Sequence, residues 1–109
     1  MYQRTIKLTI GANATGGDAS ALIDRIESDL EPLVEPAYGL IVYAALKIDA
    51  QTVVTTRVFH DLASLNASQA ATNAATNQIA TDFDLTLDAL VDGEVNVGVA
   101  HDISAVYQP

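Results

Sequence analysis

The stretch TVVTTRVFH, residues 52–60, runs directly into DLASLNASQAATNAATNQIA, residues 61–80. The first part is rich in β-branched residues, which predicts a strand. The second part is long and rich in alanine. Asp61 at its start is suited to accept hydrogen bonds from the free amides of a helix's first turn. A strand therefore passes directly into a long helix, and the rest of the chain is arranged around this unit.

The residues before this unit predict a strand, a helix and a second strand. Apolar and polar side chains alternate over residues 2–10, as in a half-buried strand. GANATGG, residues 11–17, is a loop, and Asp18 is the N-cap of a helix that ends before Pro36. Residues 49–51 form a short turn, so strands two and three make an antiparallel hairpin. The apolar residues at helical spacing are Leu22, Ile23, Ile26, Leu30, Leu33 and Val34.

The residues after the unit predict one closing strand. Asp92-Gly93 is a turn signal, and residues 94–101 then alternate valine with polar or small side chains. The segment DFDLTLDAL, residues 82–90, is compatible with a continued helix and with an extended chain, so both remain open. The tail, residues 102–109, either frays or lies across a partner subunit.

The predicted order of elements is therefore β-α-β-β-α-β. This order is typical of the α+β ferredoxin-like fold, in which two helices lie against a four-stranded antiparallel sheet. At 109 residues the chain is expected to form a single domain, residues 1–109.

Strand two, residues 38–48, is apolar on both faces. One face carries Tyr38, Leu40, Val42, Ala44, Leu46 and Ile48, and the other carries Ile41, Tyr43 and Ala45. A strand that is apolar on both faces needs cover on both, and two helices cover only one face of the sheet. We therefore predict a homodimer in which the sheets of two copies pack face to face. The alternative is a central strand that is merely rich in β-forming residues.

The charge balance is strongly acidic. Fourteen acidic residues face five basic ones, for a net charge of −9, and this disfavours nucleic acid and anionic membrane surfaces as partners. There is no cysteine, which excludes disulfides and sulfur-based zinc sites. The sequence shows neither a signal peptide nor an apolar run of about 18 residues that would span a bilayer. We expect a soluble, cytoplasmic protein.

Aspartate outnumbers glutamate ten to four, and lysine is scarce. This bias is typical of proteins from salt-adapted cytoplasms, where counterions screen the repulsion between carboxylates. A GC-rich genome combined with an ordinary acidic surface would give the same bias, so both explanations remain open.

Three segments carry a family resemblance: VVTTRVFHD (residues 53–61), LASLNASQAA (62–71) and DGEVNV (92–97). Together they resemble the second half of antibiotic-biosynthesis-monooxygenase-like dimeric α+β barrel proteins, over about residues 38–99. The resemblance implies a ferredoxin-like protomer whose sheet joins a second sheet into a barrel. That superfamily includes cofactor-free oxygenases, haem-degrading enzymes, small isomerases and members without a known activity. Its enzymes often carry tryptophan and histidine signatures; this chain has no tryptophan and no histidine in the second helix.

The second helix has little bulk between its ends, so it either packs very close to its neighbour or leaves room beside it. Asn66, Asn73 and Asn77 form a polar stripe on it, with Gln69 and Thr76 close by. This stripe either lines a pocket between helix and sheet or is a solvated face.

The other pocket candidates are His60, Arg57 and Tyr38. His60 and His101 are the only histidines, and each ends a predicted strand. Arg57 lies mid-strand among apolar residues and needs a partner, either a carboxylate across the dimer or an anionic ligand. Tyr38 and Tyr43 lie on opposite faces of strand two, so at most one can line the pocket and the other is expected at the dimer seam.

These observations predict a homodimer that binds a small organic ligand in a helix–sheet pocket, with no cofactor, no metal and no assignable catalysis. A dimeric scaffold without a ligand is a competing possibility. The alternative is a cofactor-free monooxygenase or isomerase that acts on a small, planar, oxygenated substrate.

Overall fold

The computed structural model describes residues 1–34 and 39–96. The elements in chain order are β1 (Tyr2–Thr9), α1 (Ala19–Arg25), a π-helical turn (Ile26–Leu30), a 3-10 turn (Glu31–Leu33), β2 (Leu40–Asp49), β3 (Thr52–Phe59), α2 (Leu62–Asp82) and β4 (Thr86–Glu94). The predicted β-α-β-β-α-β order is confirmed. None of the helices in these ranges combines the length and the apolar character that crossing a bilayer requires.

The four strands form one antiparallel sheet in the order β2-β3-β1-β4. The β2–β3 pair is the predicted hairpin, and β1 lies between β3 and β4. Among the described strands β2 is at an edge, so the alternative in which strand two is a central strand is wrong for this part of the chain. The α+β ferredoxin-like prediction is confirmed.

Both helices begin at the aspartates predicted as N-caps. The Asp18 carboxylate accepts a hydrogen bond from the Ala21 amide at 3.1 Å, and the Asp61 carboxylate accepts one from the Ser64 amide at 2.7 Å. Each carboxylate satisfies an amide that has no partner within the helix.

The core lies between the helices and one face of the sheet. Leu22 and Ile26 from the first helical segment pack with Val53 of β3 and Phe83 at the end of α2. Leu22 and Ile26 are four residues apart, as are Ile26 and Leu30, and all three are buried. The π-helical turn has more residues per turn than an α-helix, so Ile26 and Leu30, four residues apart, stay on the side that faces the sheet.

The fourth strand lies earlier than predicted. Strand β4 is Thr86–Glu94, and the predicted turn at Asp92-Gly93 is wrong, since these residues pair with Arg4 and Gln3 of β1. After α2 the chain turns at Asp84, whose φ of 48° is left-handed, and the alternating segment that follows pairs along the whole of β1. The segment left open between helix and extended chain is thus extended from residue 86. Residues 97–101 of the predicted strand lie outside the described residues.

The two faces of the sheet have different surroundings. One faces the helices, and we call the other the open face. By strand register the open face carries Gln3, Thr5, Lys7, Thr9, Val42, Ala44, Leu46, Thr52, Val54, Thr56, Val58, Thr86, Asp88, Val91 and Gly93. Leu46 is 62% exposed and Val91 46% exposed, so within the described ranges this face is left partly bare.

Candidate functional site

A cavity of about 90 Å³ lies between the middle of α2 and the sheet. Leu65 and Ile79 fill the space near the two ends of α2. Between them the helix presents only Ser68, Thr72 and similarly small or polar side chains to the sheet. The small side chains leave room beside the helix, which is one of the two outcomes predicted for α2.

The floor of the cavity is apolar. It is formed by Ile6 and Leu8 of β1 and by Ile26 and Leu30 of the π-helical turn. Polar groups lie around this floor, and they come from both sheet and helix. These are Arg4, Tyr43, Thr55, Arg57, Gln69, Thr72, Asn73 and Thr76. An apolar floor with a few polar groups above it is typical of small-molecule sites.

Arg57 and Tyr43 are the two lining residues with unsatisfied polar atoms. They are direct partners across β3 and β2, and the Arg57 guanidinium carbon lies 5.5 Å from the centre of the Tyr43 ring. The Nε of Arg57 and the hydroxyl of Tyr43 are buried, and neither has a hydrogen-bond partner among the described residues. Buried polar atoms are rarely left unpaired, so each of these two calls for a partner.

Tyr43 is held in its neutral form. Burial raises the pKa of its hydroxyl, the positive charge of Arg57 opposes this shift, and Glu31 adds to it. The hydroxyl is therefore a hydrogen-bond donor at neutral pH.

Arg4 lies beside Arg57 in the sheet, but its charge is already paired. Its guanidinium donates to the Gln69 side chain and forms a salt bridge with Asp92 at 3.1 Å. Asp92 also accepts a hydrogen bond from the Tyr2 hydroxyl. This bond, and secondarily Arg4, lowers the pKa of the Asp92 carboxyl. Arg57, in contrast, has no salt-bridge partner within the described ranges.

The position of Arg57 helps to choose between the two partners predicted for it, a carboxylate across the dimer and an anionic ligand. Its side chain is on the helix side of the sheet, where it lines the cavity. A second copy packed on the open face would approach from the opposite side. The geometry therefore favours an anionic ligand over a carboxylate from a sheet-to-sheet partner.

Only part of the predicted polar stripe of α2 lines the cavity. Asn73 is a lining residue, together with Gln69 and Thr76, although Asn73 and Gln69 are also exposed to solvent. Asn66 and Asn77 are exposed and are not among the lining residues, so their role in ligand binding stays a prediction.

The remaining predicted residues lie away from the cavity or outside the described ranges. His60 is exposed at the end of β3, in a separate surface depression with Met1, Asp61 and Glu94. Tyr38 and His101 lie outside the described residues.

The sequence analysis missed three polar lining residues, Arg4, Thr55 and Thr72. Arg4 lies on the same face of β1 as Ile6 and Leu8, because side chains two residues apart point to the same side of a strand. An arginine on this otherwise apolar face could have indicated a polar group at the pocket. Tyr43 was left undecided between pocket and seam. A β-bulge between Leu40 and Val42 shifts the alternation of β2, and bulges leave no clear mark in this sequence.

The comparisons with known proteins give structural likeness only. No family model matches the chain, and no curated protein matches it. A dimeric ferredoxin-like protein from an uncultured marine organism superposes with a TM-score of 0.70 at 10% identity. The match covers 93% of this chain and all of that one.

Two further structures match over nearly their whole length. A candidate antibiotic biosynthesis monooxygenase from Deinococcus radiodurans matches with a TM-score of 0.65 at 13% identity, over 93% of this chain and all of that one. A protein of unknown function from Nitrosomonas europaea matches with a TM-score of 0.58 at 21% identity, over 89% and 95% of the two chains.

The chain has the fold of the antibiotic-biosynthesis-monooxygenase-like proteins. The resemblance seen in the sequence is thus confirmed at the level of the fold. Because a fold hosts many chemistries, this likeness assigns no reaction.

Proposed function

We propose that this protein binds a small planar organic anion, a carboxylate of two or three carbons, in the cavity between α2 and the sheet. One observation carries the proposal: the Arg57 Nε and the Tyr43 hydroxyl are buried beside the cavity and have no hydrogen-bond partner in residues 1–34 and 39–96. A carboxylate has two acceptor oxygens and a negative charge, which would satisfy both donors and the free charge of Arg57.

The size of the cavity supports a ligand of few atoms. At about 90 Å³ it has room for about three waters, since each takes about 30 Å³ in the liquid. An engineered apolar cavity of about 150 Å³ is known to hold benzene, so this one is smaller than a site for an aromatic ring. Acetate, glyoxylate and pyruvate are in the fitting range.

The lining residues divide the recognition between polar and apolar contacts. Arg57 and Tyr43 would bind the carboxylate, and the side-chain amide of Asn73 would reach a carbonyl or hydroxyl oxygen. Ile6 and Leu8 would contact the carbon skeleton. A guanidinium bound to a carboxylate gives a charge-assisted and directional hydrogen bond, which is stronger than a neutral one.

Isothermal titration at pH 7 with acetate, glyoxylate and pyruvate tests this proposal, with acetamide as the neutral isostere. We expect saturable binding of at least one carboxylate and none of acetamide. Arg57→Gln should weaken that binding by at least about tenfold, because the charge-assisted bond is lost. Lys47→Gln is the matched control, since it removes the same charge from an exposed side chain that does not line the cavity.

Two results would contradict the proposal. One is the absence of saturable binding for all three carboxylates. The other is equal loss of affinity in Arg57→Gln and Lys47→Gln, which would trace binding to net charge instead of to the cavity.

We also propose that the protein is a homodimer joined through the open face. Supporting this are the exposed apolar side chains of that face and the apolar character of β2 on both sides. One of the structural neighbours is itself described as dimeric. The cytoplasmic location, the possible salt adaptation and the exclusion of nucleic acid and membrane partners stay predictions from the sequence.

A cofactor-free oxygenase or isomerase is the second candidate. The observation in its favour is the charge of Arg57, unpaired among the described residues, beside an apolar floor; this charge would stabilise the enolate that such a reaction forms. Among the described lining residues, however, none is a carboxylate or a histidine that could remove a proton. Deuterium exchange at the methyl group of pyruvate in D₂O, followed by NMR, tests this candidate. Exchange that depends on the enzyme and on Arg57 would favour it over binding alone.

A further inference from the structure

A second, larger space lies on the other side of Tyr43. It is a groove of about 780 Å³ between the turns that follow α1 and the edge strand β2. Val34, Leu40 and Ala45 supply apolar walls, and Glu27 and Glu31 are also among its lining residues. Tyr43 and Ile26 line both this groove and the inner cavity.

We propose that Tyr43 sets the upper limit on ligand size, because its ring, with Ile26, separates the inner cavity from the groove. The proposal rests on the proposed carboxylate binding at Arg57. Removing the ring would join the two spaces and convert a site for two- or three-carbon carboxylates into one for bicyclic aromatic monocarboxylates.

Packing and the contact with the Arg57 guanidinium hold the Tyr43 ring in place. The Tyr43 hydroxyl has no hydrogen-bond partner among the described residues, and the ring lies over the Arg57 guanidinium. An aromatic ligand whose carboxylate binds Arg57 would place its rings in the space that the missing ring leaves. The rest of the ligand would extend along Val34 and Leu40 into the groove.

The negative charge of the groove predicts which larger ligands do not bind. Glu27 and Glu31 would repel a second carboxylate at the far end of the ligand and leave it without a partner. A monoanionic naphthalene carboxylate should therefore enter the enlarged site, whereas the corresponding dicarboxylate should not.

Titration of Tyr43→Ala with 2-naphthoate, naphthalene-2,6-dicarboxylate and neutral 2-naphthol tests the inference. We expect Tyr43→Ala to bind 2-naphthoate at least about tenfold more tightly than the original chain does, with no gain for the dicarboxylate. Tyr43→Phe keeps the ring and should show no gain. Leu40→Ala enlarges the groove without opening the partition and should also show none.

The outcomes separate this inference from the proposed function. Suppose that acetate, glyoxylate or pyruvate binds the original chain, but Tyr43→Ala binds 2-naphthoate and 2-naphthol no more tightly than the original chain does. The proposed role of Tyr43 as a wall between cavity and groove is then refuted, and the proposed binding function stands. If no small carboxylate binds but Tyr43→Ala binds 2-naphthol more tightly, the role of Tyr43 stands and the carboxylate function fails. Should Tyr43→Ala not fold, Tyr43→Val keeps a strand-forming residue and replaces it in every comparison.

Discussion

Phe59 is where the central unit of the chain changes from strand to helix. It is the last residue of β3 and is fully buried, in a cluster with Val34 and Leu65. Its ring joins the end of the sheet to the first turns of α2. The position of α2, and with it one wall of the cavity, depends on this contact.

Phe59→Ala should lower the free energy of unfolding by about 3–5 kcal/mol, because a large buried ring is removed and a cavity is left. Leu62→Ala is the matched control. Leu62 lies three residues later and is 44% exposed, so its truncation should lower the free energy of unfolding much less. Urea unfolding followed by circular dichroism measures both. Similar losses in the two variants would mean that Phe59 does not anchor the helix.

Asp61 makes helix α2 sensitive to acid. Its hydrogen bonds to Ser64 lower the pKa of the carboxyl in the folded state. A group with a lowered pKa stabilises the fold above its unfolded pKa, about 3.9 for aspartate, and this contribution is lost as the pH falls through the folded value.

Asp61→Asn keeps a cap of similar quality but does not titrate. The urea midpoint of the original chain should therefore fall relative to that of Asp61→Asn as the pH is lowered from 5 to below 3. A constant difference between the two across this range would contradict a linkage through Asp61.

At the scale of elements, the sequence predicts most of what regular patterns control. The alternation of β1, the apolar spacing of the first helix and the two aspartate caps are local signals, and each predicts its element. The lack of bulk in α2 is also readable, and it predicts room beside that helix. Pattern and local hydrogen bonding decide these features before any long-range contact forms.

The features that the sequence missed depend on distant contacts. Asp92-Gly93 is a turn signal when considered alone, but pairing with β1 holds it in β4. Asn66, Asn73 and Asn77 share one side of α2, and only Asn73 lies at the level of the cavity, between the buried Leu65 and Ile79. A bulge in β2 places Leu40 on the same face as Tyr43, and this bulge is visible only in the paired sheet.

At the scale of the whole molecule, the central feature is a sheet with two different faces. One face holds the helices, the core and the cavity with Arg57. The open face carries valine, leucine and threonine, and in the described ranges it is partly bare. A second copy placed there would bury this surface and leave the cavities of both copies unobstructed.

Leu46→Asp should break such a dimer, because it would bury an unpaired carboxylate at the seam. Leu62→Asp introduces the same charge at the start of α2, away from the open face, and should leave the assembly unchanged. Analytical ultracentrifugation of the two variants distinguishes them. Equal sedimentation of both would exclude the open face as the interface.

The net charge of −9 should make the stability of the fold and of the dimer depend on salt concentration. Repulsion between carboxylates opposes both folding and association, and counterions screen it over about 10 Å at 0.1 M salt. If the acidic surface is an adaptation to salt, the melting temperature should rise steadily with added KCl. A melting temperature indifferent to KCl would remove the salt-adapted explanation.

The native mass in solution is the most direct test of the proposed homodimer. Size-exclusion chromatography with light scattering, at low and at high salt, gives this mass independently of molecular shape. We predict a mass twice the 11.5 kDa of the chain, with the dimer favoured further at high salt. A clean 11.5 kDa species under both conditions would contradict the assembly and leave the open face without a partner.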